Sequence, residues 1–126
     1  MSDMGIFRTS VLIENVARRG LTRELTDVLV DTGSEYTWAP RDVLSSLGIA
    51  PERVQGFILA DGRAIERQMG FAVVHAGGAF APDFVVFAET GDQTLLGARS
   101  LEGLNLRVDP VRKMLVDAGP VITAAA

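Results

Sequence analysis

The chain has 126 residues, with 12 basic and 16 acidic side chains for a formal net charge of -4, and 48% of its residues are hydrophobic against 22% charged. That is one ordinary domain, spanning residues 1-126 with a core over about 10-117 and a flexible tail over 118-126, and it excludes disordered and collagen-like chains. The acidic balance argues against nucleic acid or an anionic membrane as partner; the lack of cysteine and the single histidine, His75, exclude disulfide frameworks, thiol catalysis and two-histidine metal sites.

Any chemistry must therefore run on carboxylates or hydroxyls, and neither a metal nor a cofactor is expected. Met1 to Thr9 carries Asp3 and Arg8 and does not read as a signal peptide or anchor, and no run approaches the roughly 20 apolar residues of a spanning helix. A cytoplasmic location is expected.

Short runs of Val, Ile, Leu and Phe separated by Gly, Asp and Asn predict a mainly β domain. In chain order the predicted strands are Ser10 to Glu14, Thr22 to Asp31, Gln55 to Leu59, Ala64 to His75, Asp83 to Ala88, Leu106 to Val108 and Met114 to Asp117. Two short helices are predicted: Arg41 to Leu47, entered through Pro40 and stopped at Gly48, and Ala98 to Leu104. Ala60-Asp61-Gly62-Arg63 predicts a projecting hairpin in which both Asp61 and Gly62 tolerate positive φ. A second hairpin is expected at Asp109 to Lys113, where Pro110 presets a turn. The Ala124-Ala125-Ala126 end reads as frayed.

Val28-Leu29-Val30-Asp31-Thr32-Gly33-Ser34 puts a carboxylate at the end of an apolar strand, where a tight turn at Gly33 would aim backbone N–H groups at it. A strand ending in an Asx-type turn explains the tripeptide equally well. Thr94-Leu95-Leu96-Gly97, running into the second helix, adds a further motif, and no other aspartate reads as sitting in a comparable strand-end context.

Taken in order, Asp31-Thr32-Gly33-Ser34, the hairpin at Asp61-Gly62 and Leu95-Leu96-Gly97 resemble the retroviral-type (retropepsin-like) aspartic proteases over about Val11 to Val116. The short helix after Pro40 and the Leu47-Gly48-Ile49 stretch make the chain most similar to the bacterial single-domain members. The resemblance implies a closed β-barrel with a flap hairpin, one lobe per chain, and endopeptidase activity with Asp31 as the catalytic residue. One Asp-Thr-Gly per chain then implies a homodimer in which two Asp31 carboxylates share a proton and activate a water. It also implies that Thr32 reaches across to the partner's backbone and that Gly33 shapes the loop, while Ser34 donates to the outer carboxylate oxygen.

Ala60, Asp61 and Gly62 would cover a bound peptide, or form an ordinary solvent hairpin. Leu29 and Leu95 would line side-chain pockets, or belong to the core; Trp38 would narrow a pocket, or anchor the core. Glu35 and Arg99 are a candidate ion pair, although Ala98 stands directly after the glycine, where many such proteases carry arginine. His75 reads as a structural strand residue. Two other functions stay open: a retropepsin-like module that binds peptide or protein with little turnover, and a small β interaction domain in which Asp31 only caps a strand.

Overall fold

The computed structural model describes residues 7–125. The expectations for Met1 to Thr9 and for the Ala124-Ala125-Ala126 end thus fall partly on residues 1–6 and 126, which lie outside the described residues. The chain is mainly β, with 50% strand and 11% helix. In order the elements are β1 (Phe7–Glu14), β2 (Thr22–Val30), β3 (Thr37–Pro40), α1 (Arg41–Ser46), β4 (Arg53–Ile58), β5 (Ala64–Ala76), β6 (Ala79–Ala88), β7 (Leu95–Leu96), α2 (Ala98–Leu104), β8 (Leu106–Asp109) and β9 (Met114–Asp117).

Seven strands form one mixed sheet in the order β1-β2-β7-β3-β6-β5-β4, and β1 also pairs with β5. The hydrogen bonds therefore run as a ring through six strands, with β4 extending from β5 as the outer strand of a hairpin. Alternation sets which side chains enter the ring. Val11, Ile13, Val28, Val30, Val74, Val85, Phe87 and Leu96 point inward, and Val43 and Leu44 of α1 and Leu101 and Leu104 of α2 pack against them. At the β1–β2 register break between Thr9 and Val11, Asp27 takes φ +54, the signature of a bulge that turns the end of β2.

Two strands are absent from the sequence reading, and β1, β4 and β6 begin upstream of it. Strand β3 was not predicted, because Thr37-Trp38-Ala39-Pro40 is too short to show alternation and ends in a proline. Strand β7 is only Leu95–Leu96, and its pairing with β2 on one side and β3 on the other defines it. Strand β6 also begins at Ala79, upstream of the expected Asp83.

The β4–β5 hairpin turns differently from expectation. Gly62 takes φ +88, but Asp61 is not among the residues with positive φ. The Gly62 N–H donates to the Leu59 carbonyl and the Leu59 N–H to the Arg63 carbonyl. This is a tight turn followed by a left-handed glycine, the three-residue hairpin loop, in place of a two-residue turn that needs positive φ twice. The Asp61 carboxylate instead accepts from the Arg63 backbone and guanidinium.

Strands β8 and β9 form a separate two-stranded sheet, packed on the core through Leu106, Val108 and Leu115. Residues 118–125 have no regular structure and are largely exposed, Ile122 at 98%. No helix among the described residues is long and apolar enough to cross a membrane.

Candidate active site

Strand β2 ends at Val30, one residue short of Asp31. The Asp31 N–H still continues the sheet, donating to the Leu96 carbonyl at 3.0 Å. Its carboxylate is half-exposed, and Oδ1 accepts the Gly33 N–H at 2.9 Å. This bond fixes the carboxylate against its own loop. The Ser34 N–H closes the turn on the Asp31 carbonyl at 3.2 Å.

The loop that follows wraps around the Leu95-Leu96-Gly97 segment. Strand β7 lies parallel to β2 and antiparallel to β3, so residues 31–36 must cross over its end. Two backbone bonds secure the crossing: Ala98 N–H to the Ser34 carbonyl at 2.8 Å and Arg99 N–H to the Glu35 carbonyl at 2.9 Å. Gly97 makes the close approach possible, since a Cβ there would lie 2.3 Å from the Tyr36 carbonyl oxygen and 2.5 Å from its carbon. No side chain fits.

Beneath the crossing runs a buried relay of hydroxyls. The Gly97 N–H donates to Thr37 Oγ1 at 3.0 Å, Thr37 and Ser100 hydroxyls meet at 2.6 Å, and Ser100 donates to Asp83 Oδ2 at 2.9 Å. Because Ser100 spends its proton on Asp83, Thr37 must donate to Ser100, and every hydrogen in the relay has a fixed direction.

The sheet registers place three candidate pocket residues together. Leu29 and Leu95 are partners, and so are Trp38 and Leu95; all three share the face turned away from the core, as Val30, Leu96 and Ala39 point inward. Leu95 is buried, while Leu29 and Trp38 are half-buried. Phe57 of β4 comes down on this face, its ring 5.0 Å from Trp38 and 6.1 Å from Tyr36 between centroids. The loop-proximal end of the hairpin thus meets the Asp31 loop through aromatic contacts, and Gly56, Phe57, Ile58, Ala64, Ile65 and Glu66 line a groove of about 540 Å³ on the hairpin itself. Ala60, Asp61 and Gly62 stand exposed at its tip.

Several expectations need correction or stand apart. The Ser34 hydroxyl faces the Tyr36 carbonyl at 3.4 Å, a long bond, and not the Asp31 carboxylate. Glu35 and Arg99 form no side-chain ion pair among the described residues; the Arg99 guanidinium lies 5.4 Å from the centre of the Tyr36 ring. Thr32 is exposed at the loop crest. Asp31 is not alone in its local setting, since Asp117 ends β9 and its Oδ1 accepts the Gly119 N–H at 2.7 Å, the same carboxylate-to-glycine bond in an Asp-x-Gly tripeptide. Asp109 also ends a strand, at β8.

His75 lies far from this loop, on β5, where Nε2 meets Glu14 Oε1 at 2.7 Å and the ring stacks on Phe80. Glu14 is 5% exposed, and its other oxygen accepts the Gly20 N–H at 2.7 Å beside the Arg19 guanidinium at 3.1 Å. The His75 hydrogen bond first, then Arg19 and Gly20, lower the Glu14 pKa from 4.5 to about 2. Among the described residues no group of three His, Asp or Glu is placed to hold a metal ion.

Phe57, Tyr36 and the Thr37–Ser100–Asp83 relay were not singled out from the sequence. Phe57 was detectable in principle as the inward partner of Ile65 across a predicted hairpin; the relay joins residues distant in sequence and left no local signal. No protein-family model matches the sequence, and no curated protein matches it.

Proposed function

We propose that the chain is a retropepsin-like aspartic endopeptidase, its β ring serving as one lobe of a homodimer with Asp31 and the partner subunit's Asp31 as the catalytic pair. The observation that carries this reading is the interlock of the Asp31-Thr32-Gly33-Ser34 loop with Leu96-Gly97-Ala98-Arg99. Such a crossing holds a half-exposed carboxylate still at the rim of an apolar face, as acid–base work requires. A lone carboxylate is a weak base, whereas two in contact cannot both ionise cheaply and so retain one proton between them.

In that state the ionised member takes a proton from a water. The water oxygen bonds to the scissile carbon while the neutral member donates its proton to the carbonyl oxygen. The C–N bond of the resulting tetrahedral intermediate then breaks, the amine taking the proton first drawn from the water and the other proton returning to the pair. The outward face of Leu29, Trp38 and Leu95 suits an extended peptide, and the β4–β5 hairpin is the element able to cover it. The substrate is a peptide or protein segment, and no metal or cofactor enters the scheme.

A peptide-library cleavage assay comparing the parent with Asp31→Asn tests the reading, run across a dilution series that spans the monomer–dimer transition. Cleavage confined to the parent and falling with dimer dissociation supports it. Cleavage by Asp31→Asn, or specific activity that stays flat while the protein becomes monomeric, overturns it.

A further inference from the structure

Arg67 lies on β5, in the hairpin stem, and faces the same side as Phe57, Ile65 and Met69. Its guanidinium grips Asp92 with two bonds, Nε to Oδ2 at 2.7 Å and Nη2 to Oδ1 at 3.0 Å. The pair is sheltered, with side chains 19% and 16% exposed. Asp92 has a second duty: Oδ2 accepts the Glu89 N–H at 2.8 Å and the Asp92 N–H donates to the Glu89 carbonyl at 2.9 Å, so one carboxylate closes the turn between β6 and β7.

That turn leads directly into the segment that holds Asp31. The Thr94 carbonyl accepts the Leu29 N–H, and the Leu96 carbonyl accepts the Asp31 N–H. A short, hydrogen-bonded path therefore runs from the hairpin stem through Asp92 to the backbone of the Asp31 loop.

A second tie joins the same pieces more loosely. Arg41 donates to Glu89 and to Gln68 of the stem, but its pair with Glu89 is 38% and 41% exposed. The two ties differ in kind, since a forked guanidinium–carboxylate pair fixes orientation as well as distance, and shelter from water protects it from screening.

We propose that Arg67 and Asp92 are positioning residues that couple the β4–β5 hairpin to the Asp31 loop. Displacement of the stem pulls on Asp92, and through the turn on β7 and the Asp31 backbone. Arg67 also holds the Asp92 carboxyl below its usual range, so the link stays charged in mildly acidic solution, while Glu89, the nearest other acid, is itself engaged by Arg41. The consequence for turnover rests on the protease reading; the mechanical link does not.

The test uses the full chain with Asp92→Asn, Arg67→Lys and, as the comparison for the exposed tie, Glu89→Gln. Amide hydrogen exchange is followed without substrate, and kcat and KM are measured on a cleaved peptide. Asp92→Asn should speed exchange about tenfold at both Ala64 to Arg67 and Asp31 to Ser34, and Arg67→Lys, a point charge without the fork, should do so by less. Glu89→Gln should change Asp31 to Ser34 by less than about twofold. In kinetics, kcat should fall about tenfold in Asp92→Asn while KM moves much less, with partial recovery in Arg67→Lys.

Faster exchange confined to the stem and the turn, with Asp31 to Ser34 as in the parent, overturns the coupling. Should Asp92→Asn not fold, Arg67→Lys decides by the same criterion. A protein that cleaves no peptide yet shows coupled exchange overturns the protease reading and leaves the coupling standing; cleavage with uncoupled exchange does the reverse.

Discussion

Two Asp-x-Gly turns close the ends of strands in this molecule, and they share the carboxylate-to-glycine bond, although Gly119 takes φ +85 and Gly33 has no positive φ. In Asp31-Thr32-Gly33 the glycine N–H donates to the carboxylate at 2.9 Å; in Asp117-Ala118-Gly119 it does so at 2.7 Å. Their surroundings have little in common. The first turn is crossed by Leu96-Gly97-Ala98-Arg99 and stands at the rim of an apolar face, whereas the second is exposed on a two-stranded sheet, with only Asn105 fastening the chain around it. A tripeptide makes a turn; only tertiary crossing makes a rigid carboxylate from it.

The largest expected effect separates the two carboxylates. Asp31→Asn should lower peptide cleavage by about 10³-fold or more, within the range lost with an acid–base catalyst, while leaving the fold intact by circular dichroism. Asp117→Asn should leave cleavage within about twofold. Equal loss in both variants would dissolve the distinction.

Next in size are the glycines. Gly97→Ala forces a methyl onto the Tyr36 carbonyl and should cost about 3 kcal/mol or more in a denaturant melt. Gly119→Ala meets nothing within 4 Å, and its φ of +85 alone should cost about 1 kcal/mol. Comparable melts for the two variants would show that the crossing is not the rigid part.

Glu14 sharpens the comparison from the other side, since it is a strand-end carboxylate with every acceptor engaged. Its folded pKa of about 2 lies below the ordinary 4.5, so its contribution is fully present above 4.5 and is lost as pH falls towards 2. Glu14→Gln should therefore be less stable at neutral pH and show a flatter stability profile between those limits, while activity per folded molecule is retained. A variant profile as steep as the parent's would exclude the assignment. Smallest is Ser34→Ala: with the hydroxyl on the Tyr36 carbonyl at 3.4 Å, stability should change by less than about 0.5 kcal/mol and the pH–rate profile should stay in place.

Much of the fold was legible because alternation and turn residues act locally. The long strands, both short helices and both hairpins follow from apolar periodicity, Pro40, Gly48, Gly62 and Pro110. Strands β3 and β7 were not: β3 ends in a proline and has no hairpin turn beside it, unlike the equally short β8 and β9, and the two residues of β7 are defined by their neighbours. For the candidate site, Asp31 and the Leu95-Leu96-Gly97 motif were visible as words, and Asp117-Ala118-Gly119 stands equally in the sequence at the end of a predicted strand, whereas no local signal places Phe57 on Trp38. The Ser34 and Glu35–Arg99 expectations failed at the same residue: the Ser34 hydroxyl faces the Tyr36 carbonyl, and the Arg99 guanidinium lies by the Tyr36 ring instead of the Glu35 carboxylate.

The threading of β7 between β2 and β3 also bears on the order of folding. Residues 29–31 can pair with the segment around Leu95–Leu96 only after the chain has been made through residue 96, and hydrogen bonds between such distant segments form late because loop closure must come first. A nascent or C-terminally shortened chain lacking β7 therefore leaves the Asp31 N–H without the Leu96 carbonyl and the loop without its crossing strand. Rigidity at Asp31 arrives among the last steps, so an unfinished chain does not carry a fixed Asp31 loop.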